Sequence, residues 1–358
     1  MDNSEDQDPG KEPSHEDSYT GKCSPKESSI RVDVRDSRST PNLTLQLVIK
    51  SISSFILREK SPHPEGSPPL TPPKSAEKVC RISKAQIEDI WIYTFADPAR
   101  KDSKEAKCNL YYFAGGGFSG PATKEHWMFC AAMCLKLPEY NINLVSYPLA
   151  PNNTAPRTLP LLQKLYKALL VKANEEGTTI SFMGDSAGAN LALVLGIDAA
   201  TACLKNNGPD KTPRLRNIIA LFPPTDLRNN NPEIDAVARK DKILSRKIID
   251  NAAKIWHGEW DVTNPQLSPI FADLSVFKRA NIKVDGMTAG HDVLTPDAII
   301  FREKLAENGV DGDWLHWERQ MHCFPLISYY HVHEAVAARD WLIEILASNA
   351  KMSPDEIT

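Results

Sequence analysis

The sequence predicts an α/β fold: a mostly parallel central sheet with helices on both faces and a small helical cap. Two observations carry this. From about residue 78, short apolar runs rich in β-branched and aromatic residues alternate with helix-forming runs, the pattern of strands joined by crossover helices. One alternation is also unusually sharp. The strand-like Ile180-Ser181-Phe182-Met183 stops at Gly184, and the helix-forming Ala189-Asn190-Leu191-Ala192-Leu193-Val194-Leu195 starts just after Gly188. No internal repeat competes with this reading.

Between that strand and helix lies Gly184-Asp185-Ser186-Ala187-Gly188, a G-x-S-x-G. A strand turning directly into a helix holds its turn residue in a strained backbone conformation, with the side chain clear of the sheet. Glycines two positions either side remove the Cβ atoms that would collide there. The pattern alone arises by chance in roughly one chain in ten of this length, so the flanking strand and helix carry the reading of Ser186 as a nucleophile.

Composition sets the bounds. The chain has 358 residues, 41% hydrophobic and 25% charged, ordinary for a globular protein with a sizeable core. A net charge of −4 points to neither nucleic acid nor an anionic membrane as partner. The chain opens MDNSEDQDPG, unlike a basic-then-apolar signal peptide. Its longest apolar stretches fall short of the ~20 residues of a membrane span. Seven scattered cysteines form no CxxC pair or His/Cys cluster, so no metal is expected, and reduced thiols suit a cytoplasmic setting.

In chain order, residues 1–40 are polar, with almost no large apolar residue before Ile30, and such a tail is expected to be disordered. In residues 41–58, Leu43, Leu47, Val48, Ile52, Phe55 and Ile56 fall near helical spacing. This is read as a lid helix; contact with a membrane surface is the weaker alternative, because only Lys50 and Arg58 are cationic. Residues 59–77 form a Pro/Ser-rich linker in which Ser61, Ser67 and Thr71 each precede proline, the spacing of proline-directed phosphorylation sites and equally a product of composition. The main domain is set at 78–350, with 351–358 as a tail.

Within that domain, strands are expected at Val79–Ile82, Ile90–Phe95, Asn109–Phe113, Ile142–Tyr147, Ile180–Met183, Asn217–Phe222, Ile282–Thr288 and Trp314–Glu318. Helices are expected at Lys124–Leu135, Leu159–Asn174, after the elbow to about Leu204, at Asp297–Asn308 and at His333–Ala347. Residues 226–262, a polar loop with a helical stretch at Ile243–Trp256, interrupt the alternation and read as an insertion.

A serine hydroxyl needs a base to take its proton, and the base needs a third group to hold its tautomer. In a doubly wound sheet, working residues lie on loops at the C-terminal ends of strands. After Ile282–Thr288 comes Asp292, and after Trp314–Glu318 comes His322. His291 adjoins the acid and is badly placed as its base. His126, His257 and His316 fall inside elements, and His331 and His333 at the last helix start. Asp292 is preferred to Asp297, which follows Pro296 and so falls in a first helical turn. The loop Gly115-Gly116-Gly117 after a strand lets backbone approach a substrate closely. The amides of Gly116, Gly117 and Ala187 are the expected oxyanion donors.

GDSAG, the GGGF loop, YPLAP, the acid in DVL and HCF together resemble the hormone-sensitive-lipase-like branch of the α/β-hydrolases, which includes carboxylesterases, arylacetamide deacetylases and fungal steryl acetyl hydrolases. The similarity covers roughly residues 78–348. It implies the α/β-hydrolase fold, a triad of Ser186, Asp292 and His322 in the family's chain order, an oxyanion hole of Gly116, Gly117 and Ala187, and a cap from residues 41–58 and 226–262. It implies ester hydrolysis without cofactor or metal, on small apolar short-to-medium acyl esters, with acetylated sterols or secondary metabolites as analogies. The chain departs from the family in three places. Ala114 stands where a histidine usually precedes the glycines, Pro148 where an arginine is usual in Y-R-L-A-P, and the second acid, Asp297, lies five residues after the first instead of four. The plant gibberellin receptors offer a non-catalytic, ligand-binding reading of the same fold, but they lack the triad histidine that His322 supplies. A passenger domain behind an interacting tail would not need these catalytic motifs.

Overall fold

The computed structural model describes residues 28–56, 63–100, 106–206 and 214–351, together with Met1. At its centre lies a nine-stranded sheet in the order β1-β9-β8-β7-β6-β4-β5-β3-β2. The strands are β1 (Ile30–Arg35), β2 (Arg81–Ile87), β3 (Ile90–Ala96), β4 (Cys108–Phe113), β5 (Tyr140–Ser146), β6 (Thr179–Asp185), β7 (Leu215–Leu221), β8 (Lys283–His291) and β9 (Gly312–Met321). The β2–β3 hairpin is antiparallel and β3 runs antiparallel to β5; every other pairing is parallel.

The helices are α1 (Thr40–Ile56), α2 (Lys74–Glu77), α3 (Lys124–Lys136), α4 (Ala155–Glu176), α5 (Ala187–Asn206), α6 (Glu233–Ala238), α7 (Arg246–His257), α8 (Ser275–Arg279), α9 (Thr295–Glu307) and α10 (His333–Lys351). The two-residue period of the strands sorts the core into two layers. Tyr111, Phe113, Phe182, Ile218, Val284 and Trp314 point toward α4, α5, α8 and α9. Leu110, Tyr112, Met183, Ile219, Leu315 and Trp317 point toward α3 and α10. Full burial of each such side chain is worth about 1.5–3 kcal/mol, so both faces drive closure of the same sheet. Among the described residues one helix, Ala187–Lys205, is long and apolar enough to cross a membrane by length and composition alone, contrary to the expectation that no stretch is long enough. About two thirds of it (67%) is instead buried inside the protein, with Leu191–Leu195 packed in the core as part of α5.

Two boundaries differ from the sequence reading. The segment 1–40 was expected to be disordered, yet β1 pairs along β9 from Ile30↔Gly312 to Arg35↔Trp317. Only Ile30 of that strand is buried. What holds β1 is the backbone ladder on a ready-made edge, the Arg31–Asp313 ion pair at 2.7 Å and the Arg35 guanidinium over Trp317. An argument from apolar burial does not see these contributions. In the second case, the described part of the Pro/Ser-rich linker is strapped to the sheet. Ser67 Oγ donates to the Ser146 carbonyl (2.5 Å) and accepts the Trp91 N–H (2.9 Å), and α2 buries Ala76. Ser67 is therefore engaged, whereas Ser61 lies outside the described residues.

Candidate active site

The elbow is built by close backbone contact. Ser186, between β6 and α5, sits at φ +52°, a left-handed conformation strained for a residue with a Cβ. A Cβ on Gly184 would fall on the backbone of Gly188, and one on Gly188 would strike the Phe113 carbonyl at the end of β4. The Ser186 N–H donates to the Leu221 carbonyl (2.8 Å), which fixes the turn against β7. The Ser186 side chain is half-buried, while Ala187 behind it is buried.

The glycine loop follows β4 and lies against this turn. A Cβ on Gly115 would come 3.0 Å from Ser186 Cβ and would collide with Asp185. Gly116 adopts φ +142° and Gly117 φ +59°, conformations suited to glycine.

Asp185, the second residue of the motif, ties these parts together. Its Oδ1 accepts the Tyr112 hydroxyl (2.6 Å) and the Gly115 N–H (2.9 Å). Its Oδ2 lies 3.3 Å from His126 Nε2 and 3.4 Å from the Cys323 thiol. The Thr123 N–H donates to His126 Nδ1 (2.9 Å), so that nitrogen is the acceptor and Nε2 carries the proton toward Asp185. Burial alone would raise the Asp185 pKa. The His126 ring, the Tyr112 hydroxyl and the Gly115 amide outweigh it and hold the carboxyl at about 2.

The adjacent parallel strands β8 and β9 end side by side, with His291 opposite Met321. This brings Asp292 and His322 together, with His322 Nδ1 2.8 Å from Asp292 Oδ2. Asp292 Oδ1 accepts the Leu294 N–H (3.0 Å), so the acid cannot swing. With Nδ1–H committed to Asp292, Nε2 is the basic nitrogen. Burial pulls the His322 pKa down, but Asp292, by charge and hydrogen bond, and then the more distant Asp241 and Asp185 leave it raised. Two links bring this pair to the elbow. Cys323, next to His322, touches Asp185, next to Ser186. The His322 ring packs edge-on against Phe222, one residue past the carbonyl that Ser186 binds.

A model of the alpha/beta hydrolase fold family matches residues 110–326, a span that holds the elbow, the glycine loop, Asp292 and His322. The chain belongs to the α/β-hydrolase fold family. It is 26% identical over 240 residues to an esterase of Acinetobacter venetianus, covering 65% of this chain and 74% of that protein. It is 29% identical over 223 residues to an AB hydrolase superfamily protein of Schizosaccharomyces pombe, covering 57% of this chain and 59% of that one. Among solved structures, EstE7, a hormone-sensitive-lipase homologue from a metagenome library, superposes with TM-score 0.69 at 17% identity, covering 88% of this chain and all of that one (100%). A hyperthermophilic esterase of the archaeon Pyrobaculum calidifontis gives 0.65 at 20% identity, covering 87% and 94%. At such identities the structural likeness establishes the fold.

Local contacts hold the chain at the three places where it departs from the pattern of the family it resembles. Ala114 cannot brace the glycine loop with a side chain, but Tyr147 donates its hydroxyl to the Ala114 carbonyl (2.8 Å) and Asp185 holds Gly115. The loop around Pro148 is anchored through backbone, with the Ala150 N–H on the Phe118 carbonyl (2.9 Å). Asp297 lies in the first turn of α9 and accepts from Asn231 Nδ2 (2.8 Å), so it is Asp292 that meets His322. The buried surroundings of His291, together with Arg38, Lys240 and Lys242, push its pKa down to about 4.

Residues from both segments that the resemblance assigns to a cap touch elements next to the site. In the insertion, Trp256 of α7 stacks flat on Phe118 (4.5 Å), and Ala252 lies beside Gly117. At the start of α1, buried Asn42 donates to Gln320 Oε1 (2.8 Å), two residues before His322. Among the described residues no cluster of three or more His, Cys, Asp or Glu could hold a metal ion. Sequence reasoning missed Asp185, His126, Tyr112, Cys323 and Asp241. A signal existed for His126, which stands three residues after Thr123 at capping-box spacing. None existed for the long-range partners.

Proposed function

We propose that the protein is a serine hydrolase that cleaves carboxylic esters of small apolar substrates through an acyl-enzyme. Ser186 attacks the acyl carbon while His322 Nε2 takes its proton. Asp292 holds the Nδ1–H and stabilises the imidazolium. The amides of Gly116, Gly117 and Ala187 receive the oxyanion, where loss of one donor typically costs about 3–4 kcal/mol. His322 returns the proton to the leaving alcohol, and water then repeats the sequence on the acyl-enzyme. The observation that carries the reading is the 2.8 Å His322–Asp292 bond on a loop tied to the strained Ser186 turn.

The cap segments α1 and α7 favour short-to-medium apolar acyl groups, with an acetylated sterol or secondary metabolite as the class implied by resemblance. We also propose a cytoplasmic setting, which suits described cysteines that form no disulfide among themselves. The test is hydrolysis of p-nitrophenyl acetate and butyrate by wild type and Ser186→Ala. The expected loss is about 10⁴-fold or more in kcat, since triad members act as a unit. A fluorophosphonate probe should label Ser186. Hydrolysis no faster than the uncatalysed rate in both proteins would leave a small-molecule-binding protein on this fold instead.

A further inference from the structure

The insertion between β7 and β8 carries a buried carboxylate that the mechanism above does not use. Asp241 follows α6 and is 4% exposed. Its Oδ1 accepts the Ile243 and Leu244 N–H groups, both at 2.8 Å, which closes a turn within the insertion. Its Oδ2 crosses to the other side and accepts the Val293 N–H at 3.0 Å. Val293 directly follows Asp292, whose own Oδ1 takes the next amide, Leu294, at 3.0 Å. Two carboxylates from segments far apart in the chain thus hold consecutive amides of one short loop, and the orientation of that loop aims Asp292 Oδ2 at His322 Nδ1.

We propose that Asp241 is a positioning residue of the triad: by gripping the Val293 amide from the cap insertion, it holds the acid loop so that Asp292 faces His322, and its charge supports the imidazolium. The inference rests on the esterase reading of the site. It makes assembly of the triad depend on the seating of the insertion. The groups that face Asp241 are Asp292 on the acid loop and His322 and Cys323 on the loop after β9. Burial raises the Asp241 pKa and repulsion from Asp292 adds to it, against the three amide bonds, to about 6. Asp241 thus loses its charge toward the acid side of neutral pH. Asp241 also raises the His322 pKa, so removing it lowers that pKa.

Asp241→Asn tests this. Its amide group can satisfy the turn or the Val293 N–H by its oxygen, but not both sides, because its nitrogen only donates. Asp241→Ser is the companion variant. Its hydroxyl can still serve the local turn, while the bridge to Val293 is lost. With p-nitrophenyl butyrate, kcat should fall about 10- to 100-fold in both variants, the scale of one charge-assisted hydrogen bond. KM should stay within about two-fold, as expected when a transition-state interaction is lost. The acid limb of kcat/KM should move to lower pH, because His322 is then easier to deprotonate. A merely structural role would not move that limb. A wild-type kcat with an unmoved limb would overturn the proposal, as would loss of the folded circular-dichroism signal in both variants. If Asp241 variants match wild type while Ser186→Ala is inactive, this inference alone fails. If Ser186→Ala is itself as active as wild type, the reading of the site fails with it.

Discussion

The two halves of the active site are held by opposite means. On the nucleophile side, geometry comes from atoms that are missing: Gly184 meets Gly188, Gly188 meets the Phe113 carbonyl and Gly115 meets Asp185, each with no room for a Cβ. On the acid side it comes from bonds that are added. Asp241 grips Val293 across 52 residues of sequence and Asn42 grips Gln320 across 278. Steric fit is close to all-or-none, because backbone cannot rotate away from an intruding methyl. A polar clamp fails by degrees, because neighbouring donors and water take over part of its work. Substitutions on the two sides should therefore differ in kind as well as in size.

The largest effect is expected at Gly188. Helix propensity alone favours alanine over glycine by about 1 kcal/mol, and Gly188 lies within α5. The added Cβ, however, meets a carbonyl at the end of a central strand, where overpacking costs typically 1–3 kcal/mol and occasionally more. Gly188→Ala should therefore lose more than about 3 kcal/mol in a urea melt, above the typical range because the clash is with backbone. It should also lose about 100-fold or more in fluorophosphonate labelling of Ser186, since roughly 1 Å of misplacement costs that much. A variant as stable and reactive as wild type would show that the elbow is compliant and would remove the contrast.

This contrast also explains what the sequence could tell. The elbow and glycine loop are short-range features: GDSAG and GGG state the missing atoms directly, and the strand and helix on either side follow from local patterning. Asp292 and His322 could be placed because each follows a strand, and strand ends converge in a parallel sheet. Asp241 offered nothing similar. A lone aspartate in a polar loop reads as solvated until the fold brings Val293 to it. Strand β1 was misread for the same reason, since its partner is the edge of β9 and its own apolar content is low. His126 fell inside its expected helix, but the contact that matters is with a residue 59 positions away.

Asp185 belongs to both halves and should give an intermediate effect. Asp185→Asn keeps the shape and can still accept from Gly115 or Tyr112. Its nitrogen then faces the His126 Nε2–H, and the ring cannot exchange tautomers while Thr123 N–H occupies Nδ1. The depressed pKa of Asp185, about 2, sets the sign of the pH dependence. Its stabilising contribution is present above the ordinary aspartate range near 4 and is lost as pH falls toward about 2. Asp185→Asn should thus be about 2–3 kcal/mol less stable than wild type at pH 7. The gap should narrow as urea melts are taken down from pH 5 toward the lowest pH at which both proteins fold. A gap that stays constant or widens on acidification would mean that the ionised carboxylate is not what links the elbow to its surroundings.

The smallest effect is expected at Asn42, where the clamp is partly redundant. Gln320 Oε1 accepts Asn42 Nδ2 at 2.8 Å and also Gln46 Nε2 at 3.3 Å, and Gln46 reaches the Arg319 carbonyl at 3.3 Å as well. Removing one of two donors to the same oxygen should cost about 1 kcal/mol, near the net value of a single neutral hydrogen bond. Asn42→Ala should therefore lower kcat by no more than about three-fold, within the span that such a loss allows. The comparison with Asp241→Asn is the informative one, because both residues hold acid-side loops from outside the core sheet. Asp241 is a charged clamp directly on the loop that carries Asp292. Asn42 is a neutral one on the strand end before His322. Should Asn42→Ala lower kcat as far as Asp241→Asn does, with the same shift of the acid limb, then α1 and not the insertion sets the His322–Asp292 geometry. The graded behaviour assigned to the acid side would then belong to the N-terminal segment.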